Sequence, residues 1–249
     1  MLYVLLPAYN EEKSMQSLLE RFKKLFAENK IHYLIVVVDD GSTDRTAETV
    51  NGFNNEINIS LVPHPYNMGL GAAMRTGFDY IAGLSKPGDL ILTMDADDTH
   101  NPSIVGDMIQ KIQKGKDIII ASRYEHGGEE IGLALHRKIL SLGASFLLKI
   151  FFPIEGVKDY TCGFRLYSAD IIKKAVDKYK ENFITHNSFV CMAEILIKLS
   201  YLGVKVDEVP LILRYDLKQG QSKMKKIRTI FRYIHFIFRE KFKSDKNNQ

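Results

Sequence analysis

A chain of 249 residues with 45% hydrophobic and 26% charged side chains is rich enough in apolar material to exclude disorder, and it fits one large α/β domain or two small ones. The net charge of +4 hides an asymmetry: from position 214 onward 11 Lys/Arg face 3 Asp/Glu, net +8, and the rest, 23 against 27, is net −4, so the basic end suits an anionic membrane, nucleic acid or plain solvent. Cys162 and Cys191 give neither a disulfide framework nor a metal-ligand spacing and point to reduced thiols in a cytoplasmic setting, Met1–Pro7 lacks the basic start of a signal peptide, and no uninterrupted apolar run reaches ~18 residues, so no transmembrane helix is expected.

Taken in order, Leu2–Leu6 reads as a first strand, with Pro7 to Glu12 as the loop after it. Ser14–Asn29 has the spacing of an amphipathic helix, with Leu18, Leu19, Phe22 and Phe26 on one face. Tyr33–Val38 is a β-branched strand, and Asp39 to Asp44 follows as a loop in which Ser42 or Thr43 is expected to cap a helix reaching Val50. Ile57–Val62 is a third strand, His64–Gly71 a glycine-bearing loop, and a helix runs on through Arg75 and Phe78. Asp89–Met94 and Ile118–Ala121 complete a strand–helix alternation that predicts a mostly parallel sheet with helices on both faces.

Beyond Ser122 the pattern changes. Leu133–Phe152 is strongly apolar, yet Arg137, Ser141, Ser145 and Lys149 recur every fourth residue and would form one polar stripe. Tyr160–Tyr167 reads as strand or loop, Phe189–Tyr201 as a buried helix, and Lys205–Val209 as a strand closed by Pro210. From Met224, Ile227, Ile230, Phe231, Ile234 and Phe238 line one helical face, beside a face of Arg228, Arg232, His235 and Arg239. Each amphipathic helix has two readings. It lies at a membrane interface, the second with its basic face towards an anionic leaflet, or it packs on the body.

The acid-rich stretches carry the chemistry. The apolar run Ile91–Met94 feeds directly into Asp95, Asp97 and Asp98. Carboxylates there suit a hard cation, and equally they suit a capped turn before Pro102. Asp39-Asp40-Gly41-Ser42, between strand and helix, suits a phosphate with its amides and a base or ribose with its carboxylates, or is a capped turn. There is no Gly-x-Gly-x-x-Gly after the first strand and no Walker sequence, which excludes the usual dinucleotide and P-loop readings. His100, His136 and His186 stand alone beside turns and read as capping or surface residues, Cys162 as a small buried side chain and Gly163 as a backbone requirement.

The ordered set does more than any one piece. Pro7-Ala8-Tyr9-Asn10-Glu11-Glu12, Val38-Asp39-Asp40-Gly41-Ser42-Thr43-Asp44, Asn67-Met68-Gly69-Leu70-Gly71 with Arg75, and Asp95-Ala96-Asp97 follow one another as in family-two inverting glycosyltransferases of the α/β GT-A fold. Ala121-Ser122-Arg123-Tyr124, Thr161-Cys162-Gly163-Phe164-Arg165, Glu208-Val209-Pro210 and Gln221-Ser222-Lys223-Met224 resemble the dolichol- or polyprenyl-phosphate mannosyl- and glucosyltransferase branch. The resemblance covers nearly the whole chain, from Leu2 to about Lys226.

The resemblance implies a catalytic domain over 1–222, including an amphipathic interface helix over 133–152, and a basic amphipathic helix and tail over 223–249. It implies that Pro7, Tyr9, Glu12, Asp39 and Asp40 line a nucleotide-sugar pocket, that Asp95 and Asp97 hold Mg2+ or Mn2+ on the donor diphosphate, and that Thr99 stands where relatives carry a Gln or Ser near the metal. Arg123, Arg137 and Ser141 match positions that hold a lipid phosphate, and Lys223 falls in a basic loop closing over the site. The implied activity is inverting transfer of a hexose, mannose first, from GDP-mannose or UDP-glucose to a polyprenyl or dolichyl phosphate. Its place is the cytoplasmic face of a membrane, with or without a small membrane-embedded subunit. Two rivals stand beside it. One is transfer to a sugar hydroxyl of a surface polysaccharide, which needs a base, with Glu194 as candidate; the other is a non-catalytic membrane scaffold that binds nucleotide-sugar. Nucleic acid is not an expected partner, since the chain offers no recognition helix or aromatic platform.

Overall fold

The computed structural model describes residues 1–217 and 226–247, with side chains at 136–137, 226–230 and 242–247 left aside. Near-continuous apolar runs make the central strands, because a strand covered by helices on both faces has no side for water. Strand β1 (Leu2–Ala8) is buried almost throughout and pairs in parallel with β2 (Tyr33–Asp39) on one edge and with β4 (Leu90–Thr93) on the other. β3 (Ile59–Pro63) extends the first edge. Beyond β4 come β7 (Arg165–Ser168), β5 (Ile118–Ser122) and β8 (Val206–Pro210), giving the order β3-β2-β1-β4-β7-β5-β8. The expected parallel sheet is thus interrupted by β7, which is antiparallel to both β4 and β5. A separate parallel pair joins β6 (Glu129–Ile131) to β9 (Ile212–Arg214), neither of which stands out in the sequence.

The helices are α1 (Glu12–Asn29), α2 (Thr46–Gly52), α3 (Leu70–Leu84), α4 (Val105–Gln113), α5 (Leu135–Phe151), α6 (Ala169–Tyr179), α7 (Val190–Ser200) and α8 (Lys226–Asn247). Ser168 caps α6, a helix the sequence reading passes over, by accepting from the Ile171 amide. The expected cap of α2 is corrected: α2 begins at Thr46, and Asp44 Oδ1, not Ser42 or Thr43, accepts from the Thr46 amide at 3.0 Å and its hydroxyl at 2.5 Å. Tyr160–Phe164 is loop, because Asp159 captures the amides of Thr161 and Cys162 before β7 starts.

The core lies on both faces of the sheet, with Phe22 and Phe26 of α1, Phe78 of α3 and α7 from Val190 to Leu199 buried. The outer helices differ. On α5, Leu148 and Ser145 face the body, whereas Leu135 (72% exposed), Ile139, Phe146 (65%) and Ile150 face solvent. The polar stripe therefore divides: Ser141 and Ser145 turn inward and Lys149 stays outside. On α8 the buried side chains include Tyr233, Phe236, Ile237 and Glu240, while Phe231 (67% exposed), Ile234 and Phe238, from the apolar face read in the sequence, are exposed. No described helix is long and apolar enough to cross a membrane.

Candidate active site

From β1 the chain moves outward to β2 and β3 on one side and returns to β4 on the other. The C-terminal ends of β1 and β4 therefore frame the switch point of the sheet, where connecting loops diverge and leave a crevice. The loop after β1 and the loop after β2 are sewn together across that edge. The Asn10 amide donates to Ser42 Oγ at 2.9 Å, the Glu11 amide to Thr46 Oγ1 at 2.8 Å and the Glu12 amide to Asp44 Oδ2 at 3.1 Å. In return the Thr43 amide donates to Asn10 Oδ1 at 2.8 Å and the Arg45 amide to Glu12 Oε2 at 3.0 Å. Asn10 takes a left-handed backbone (φ 52°), which a short amide side chain tolerates. Pro7 sits inside β1 in register with Val38, at the base of this stitched rim, and Tyr9 follows it.

Asp39 and Asp40 do different work. Asp39 Oδ1 accepts from the Ser42 amide at 3.0 Å. Asp40 is buried and engages protein donors through both oxygens. Its Oδ1 accepts from His64 Nδ1 at 2.8 Å and from the Met68 amide at 2.9 Å, and its Oδ2 from the Gly69 amide at 2.8 Å. Asp40 is thus the anchor of the 64–69 turn rather than an open contact for a base. Gly41 (φ 70°) lies so close to Tyr66 and Asn67 that a methyl there would meet their backbone.

On the other side of the crevice, the loop after β4 carries the acidic group. Asp97 is 8% exposed, and its Oδ1 accepts from the Thr99 hydroxyl at 2.6 Å and the Thr99 amide at 3.2 Å. Asp95 Oδ1 lies against Gly163, where a methyl would be in van der Waals contact at 3.4 Å. Asp98 (φ 60°) turns away from the crevice into an ion pair with Arg21 of α1, which also donates to the His100 carbonyl at 3.0 Å. The Thr99 carbonyl in turn accepts from the Arg214 amide of β9 at 3.0 Å, so β9 is tied to the acidic loop. Lys223 itself lies outside the described residues.

Arg123, at the end of β5, is placed in a carboxylate clamp. Nε donates to Asp159 Oδ2 and Nη2 to Asp159 Oδ1, both at 2.7 Å; Nη2 reaches Thr161 Oγ1 at 2.7 Å and Nη1 reaches Glu130 Oε1 at 3.2 Å. Four of its five N–H groups thus serve protein oxygens, so in this geometry Arg123 chiefly positions the loop that follows Asp159. Ser141 joins the same cluster, accepting from the Tyr124 hydroxyl at 3.0 Å and lying 3.3 Å from Thr161 Oγ1. Burial pushes the Tyr124 hydroxyl up to about 12, so it remains a donor at neutral pH. Arg137 is on the first turn of α5, and its side chain lies outside the described ones.

Asp159 is a residue the sequence reading missed. It is fully buried, and a lone Asp in a polar stretch gives no sign of that. Burial pushes its carboxyl up, but the Arg123 charge and hydrogen bonds outweigh burial and hold it below the usual range. Arg165, inside the Thr161–Arg165 motif, is likewise fully buried, donating to the Met192 carbonyl at 2.6 Å and the Tyr160 carbonyl at 2.8 Å. Burial pushes the Cys162 thiol up to about 12, which removes it as a nucleophile. Glu194 has no exposed surface and accepts from the Thr185 and His186 amides, both at 2.9 Å, and from Lys198 at 2.5 Å.

These loops have counterparts elsewhere. The chain is 35% identical over 237 residues to a dolichol-phosphate mannosyltransferase of Pyrococcus furiosus, a match that takes in 95% of this chain and 62% of that protein. It is 36% identical over 181 residues to a dolichyl-phosphate beta-glucosyltransferase of Trichomonas vaginalis, covering 68% of this chain and 54% of the other. The chain thus spans little more than half the length of these two curated relatives. An uncharacterized protein of Methanocaldococcus jannaschii is 30% identical over 94% of this chain and 90% of its own. In fold, the chain is similar to glucosyl-3-phosphoglycerate synthase of Mycobacterium tuberculosis, solved with Mn2+, uridine diphosphate and glucosyl-3-phosphoglycerate, at a TM-score of 0.68 and 16% identity over 97% of this chain and 79% of that one. The α/β sheet with its inserted antiparallel strand is therefore the GT-A arrangement. The description that matches residues 3–176, most of the chain, is glycosyl transferase family 2, and to that family this chain belongs.

Proposed function

We propose that the chain transfers a hexose, with inversion, from a nucleotide-sugar to a polyprenyl phosphate at a membrane surface. The observation that carries the reading is a juxtaposition. Asp95 and Asp97 stand on the loop after β4, the stitched 10–12 and 42–46 loops follow β1 and β2 at the same end of the sheet, and the Arg123–Ser141 cluster adjoins an exposed apolar helix. The relatives named for dolichol-phosphate sugar transfer support the same acceptor class.

Asp95 and Asp97 fit a divalent cation. Among the described residues no third His, Cys, Asp or Glu converges on them. That donor set suits Mg2+ or Mn2+ bridging to a diphosphate, since such ions are held through one or two carboxylates with the substrate phosphates and water filling the other places. Thr99, hydrogen-bonded to Asp97, fixes the orientation of that carboxylate and would sit beside the ion. A bound cation supplies charge neutralisation for the leaving nucleoside diphosphate.

The residues of the chain do the rest by positioning. A lipid phosphate is anionic at neutral pH. Its oxygen attacks the anomeric carbon in line, the bond to the diphosphate breaks, and no proton has to be removed. Ser141 and Arg137 on α5, together with Lys223, are assigned to that phosphate, and Arg123 keeps the Asp159–Gly163 loop against Asp95. Glu194 is enclosed and already accepts four hydrogen bonds from Thr185, His186 and Lys198, which leaves the sugar-hydroxyl alternative without its candidate base.

The membrane reading rests on α5 and α8. Together they present Leu135, Ile139, Phe146, Ile150, Phe231 and Phe238 to solvent, with Lys149 and Arg232 beside them, a composition that suits an anionic leaflet. A small membrane-embedded subunit would use the same face.

The test is transfer of labelled sugar from GDP-mannose and from UDP-glucose to a short-chain polyprenyl phosphate in lipid vesicles, with the product identified by mass. Product that disappears with EDTA and in Asp97→Ala supports the reading. Transfer only to a polyprenol-linked sugar hydroxyl, or full activity in Asp97→Ala, overturns the acceptor or the metal role respectively.

A further inference from the structure

The buried Glu194 is not needed by the chemistry above, yet it sits at the centre of a dense ionic cluster. Lys198, one helical turn along α7, donates to Oε1 at 2.5 Å and to the Asn182 carbonyl at 2.5 Å. Thr185 donates its hydroxyl to Oε1 at 2.6 Å, and the Thr185 and His186 amides both donate to Oε2. One carboxylate therefore fixes the backbone from 182 to 186, a segment with no regular secondary structure beyond a short turn.

That segment is the seat of the glycine turn. Methyl groups built on Gly69 and Gly71 would collide with the carbonyl oxygens of Asn187 and His186, so the two backbones meet with no side chain between them. Arg75, on the same face of α3, donates to the Ile184 carbonyl through Nε at 2.9 Å and through Nη2 at 2.5 Å. The opposite side of the turn hangs on Asp40 through the Met68 and Gly69 amides. Residues 66–71 are thus held between Asp40, at the rim of the crevice, and the 184–187 backbone.

The second half of the cluster comes from α8. Arg239 donates to Thr185 Oγ1 at 2.6 Å and lies 3.9 Å from Glu194 Oε1, and the Phe236 ring meets the His186 ring edge to face at 5.3 Å between centroids. The same helix turns Phe231 and Phe238 outward. One face of α8 thus braces the seat while the other is open.

We propose that Glu194 and Arg239 are positioning residues for the nucleotide-sugar. They fix the 184–187 backbone that seats the 66–71 turn, so that donor binding at the crevice depends on α8 being docked. The inference rests on the reading of the crevice as a donor site. It predicts that loosening the seat acts on the 66–71 turn, some distance from the altered residue and across a backbone-to-backbone contact. A role confined to packing α7 and α8 would leave that turn untouched.

The experiment is amide hydrogen exchange on the full chain, comparing wild type with Arg239→Ala, Arg239→Lys and Glu194→Gln, alongside donor kinetics with GDP-mannose and UDP-glucose. The expected result in Arg239→Ala is exchange at least about tenfold faster at the Met68 and Gly69 amides as well as at Thr185 and His186. The KM for the donor rises about tenfold while kcat stays within about twofold, and Arg239→Lys restores much of both. Glu194→Gln, if it folds, gives the larger change; if it does not, Arg239→Ala and Thr185→Val carry the test. Faster exchange at 184–187 with residues 66–71 unchanged, or an equal fall in kcat with KM unaltered, overturns the proposal. Failure of the wild type to use either donor sinks the donor reading, a result separable from the exchange data, which then decide the structural coupling alone.

Discussion

Arg123 grips Asp159 at two points, Nε to Oδ2 and Nη2 to Oδ1, each at 2.7 Å, with the carboxylate wholly enclosed. Removing one partner of such a pair strands a buried charge. Asp159→Ala is expected to cost about 3–5 kcal/mol in a urea titration, well above the ~1 kcal/mol typical of a point substitution. Because Arg123 holds the folded Asp159 carboxyl below its ordinary value, its stabilising contribution is complete above the unfolded value of about 4 and fades as pH falls through the lower folded one. The stability gap between wild type and Asp159→Asn should therefore be constant from neutral pH down to about 4 and close only in stronger acid.

Glu208 shows the opposite sign a few ångströms along the chain of contacts. Burial first, and then the Asp159 charge, push its carboxyl up, although it accepts from the Lys158 amide at 2.7 Å and the Asp159 amide at 2.8 Å. The stability linked to Glu208 is complete below the unfolded value of about 4.3 and is lost as pH rises through the folded one. Glu208→Gln keeps the acceptor for both amides and removes the charge. It should raise Tm at pH 8 relative to wild type and leave it nearly unchanged at pH 4, as read by thermal unfolding at the two values.

Two glycines on α3 give a paired test of backbone contact. Gly83 has open space where a methyl would go, and Gly71 faces the His186 carbonyl. Gly83→Ala should stabilise by about 0.5–1 kcal/mol through helix propensity. Gly71→Ala should destabilise by about 1–3 kcal/mol or more, since it drives a methyl into rigid backbone. Equal effects at both sites would contradict the close approach of α3 to the 184–187 segment.

The outward faces of α5 and α8 should respond to charge. Phe146→Glu and Phe231→Glu, at positions 65% and 67% exposed, are expected to leave the unfolding free energy within about 0.5 kcal/mol of wild type while weakening co-sedimentation with anionic vesicles. Added salt should weaken wild-type binding in part, leaving the hydrophobic share. Unchanged sedimentation in both variants would move the interface elsewhere.

The sequence is most informative where one strong physical demand acts locally. The apolar run Ile91–Met94 ending in acids marks β4 and its loop, and the β-branched run before Asp39 marks β2. Asp98 is legible as a turn residue, and the structure adds its ion pair with Arg21, 77 positions away. What is illegible is set by distant partners. β7 runs antiparallel between parallel strands because of where its neighbours lie, and four residues cannot encode that. Arg123 has the residue type for a phosphate but is claimed by Asp159, 36 positions on. Asp40 has the type for a ribose but is claimed by the 64–69 turn. Glu194 has the type for a base but is claimed by Thr185, His186 and Lys198. In each case the residue type is readable and its partner is not.

The reciprocal hydrogen bonds between residues 10–12 and 42–46 have a consequence for anyone redesigning the loops at this end of the sheet. Each of the two loops supplies both donors and acceptors to the other, so each holds part of the other's shape. A graft of the 9–12 segment alone from a relative lacking Asn10 and Glu12 would break the Asn10–Thr43 and Glu12–Arg45 links and leave the Thr43 and Arg45 amides to water, loosening the fit between the two loops. The transferable cassette is the pair of loops together, with Thr46 at the start of α2 included, and chimaeras should be built on that unit.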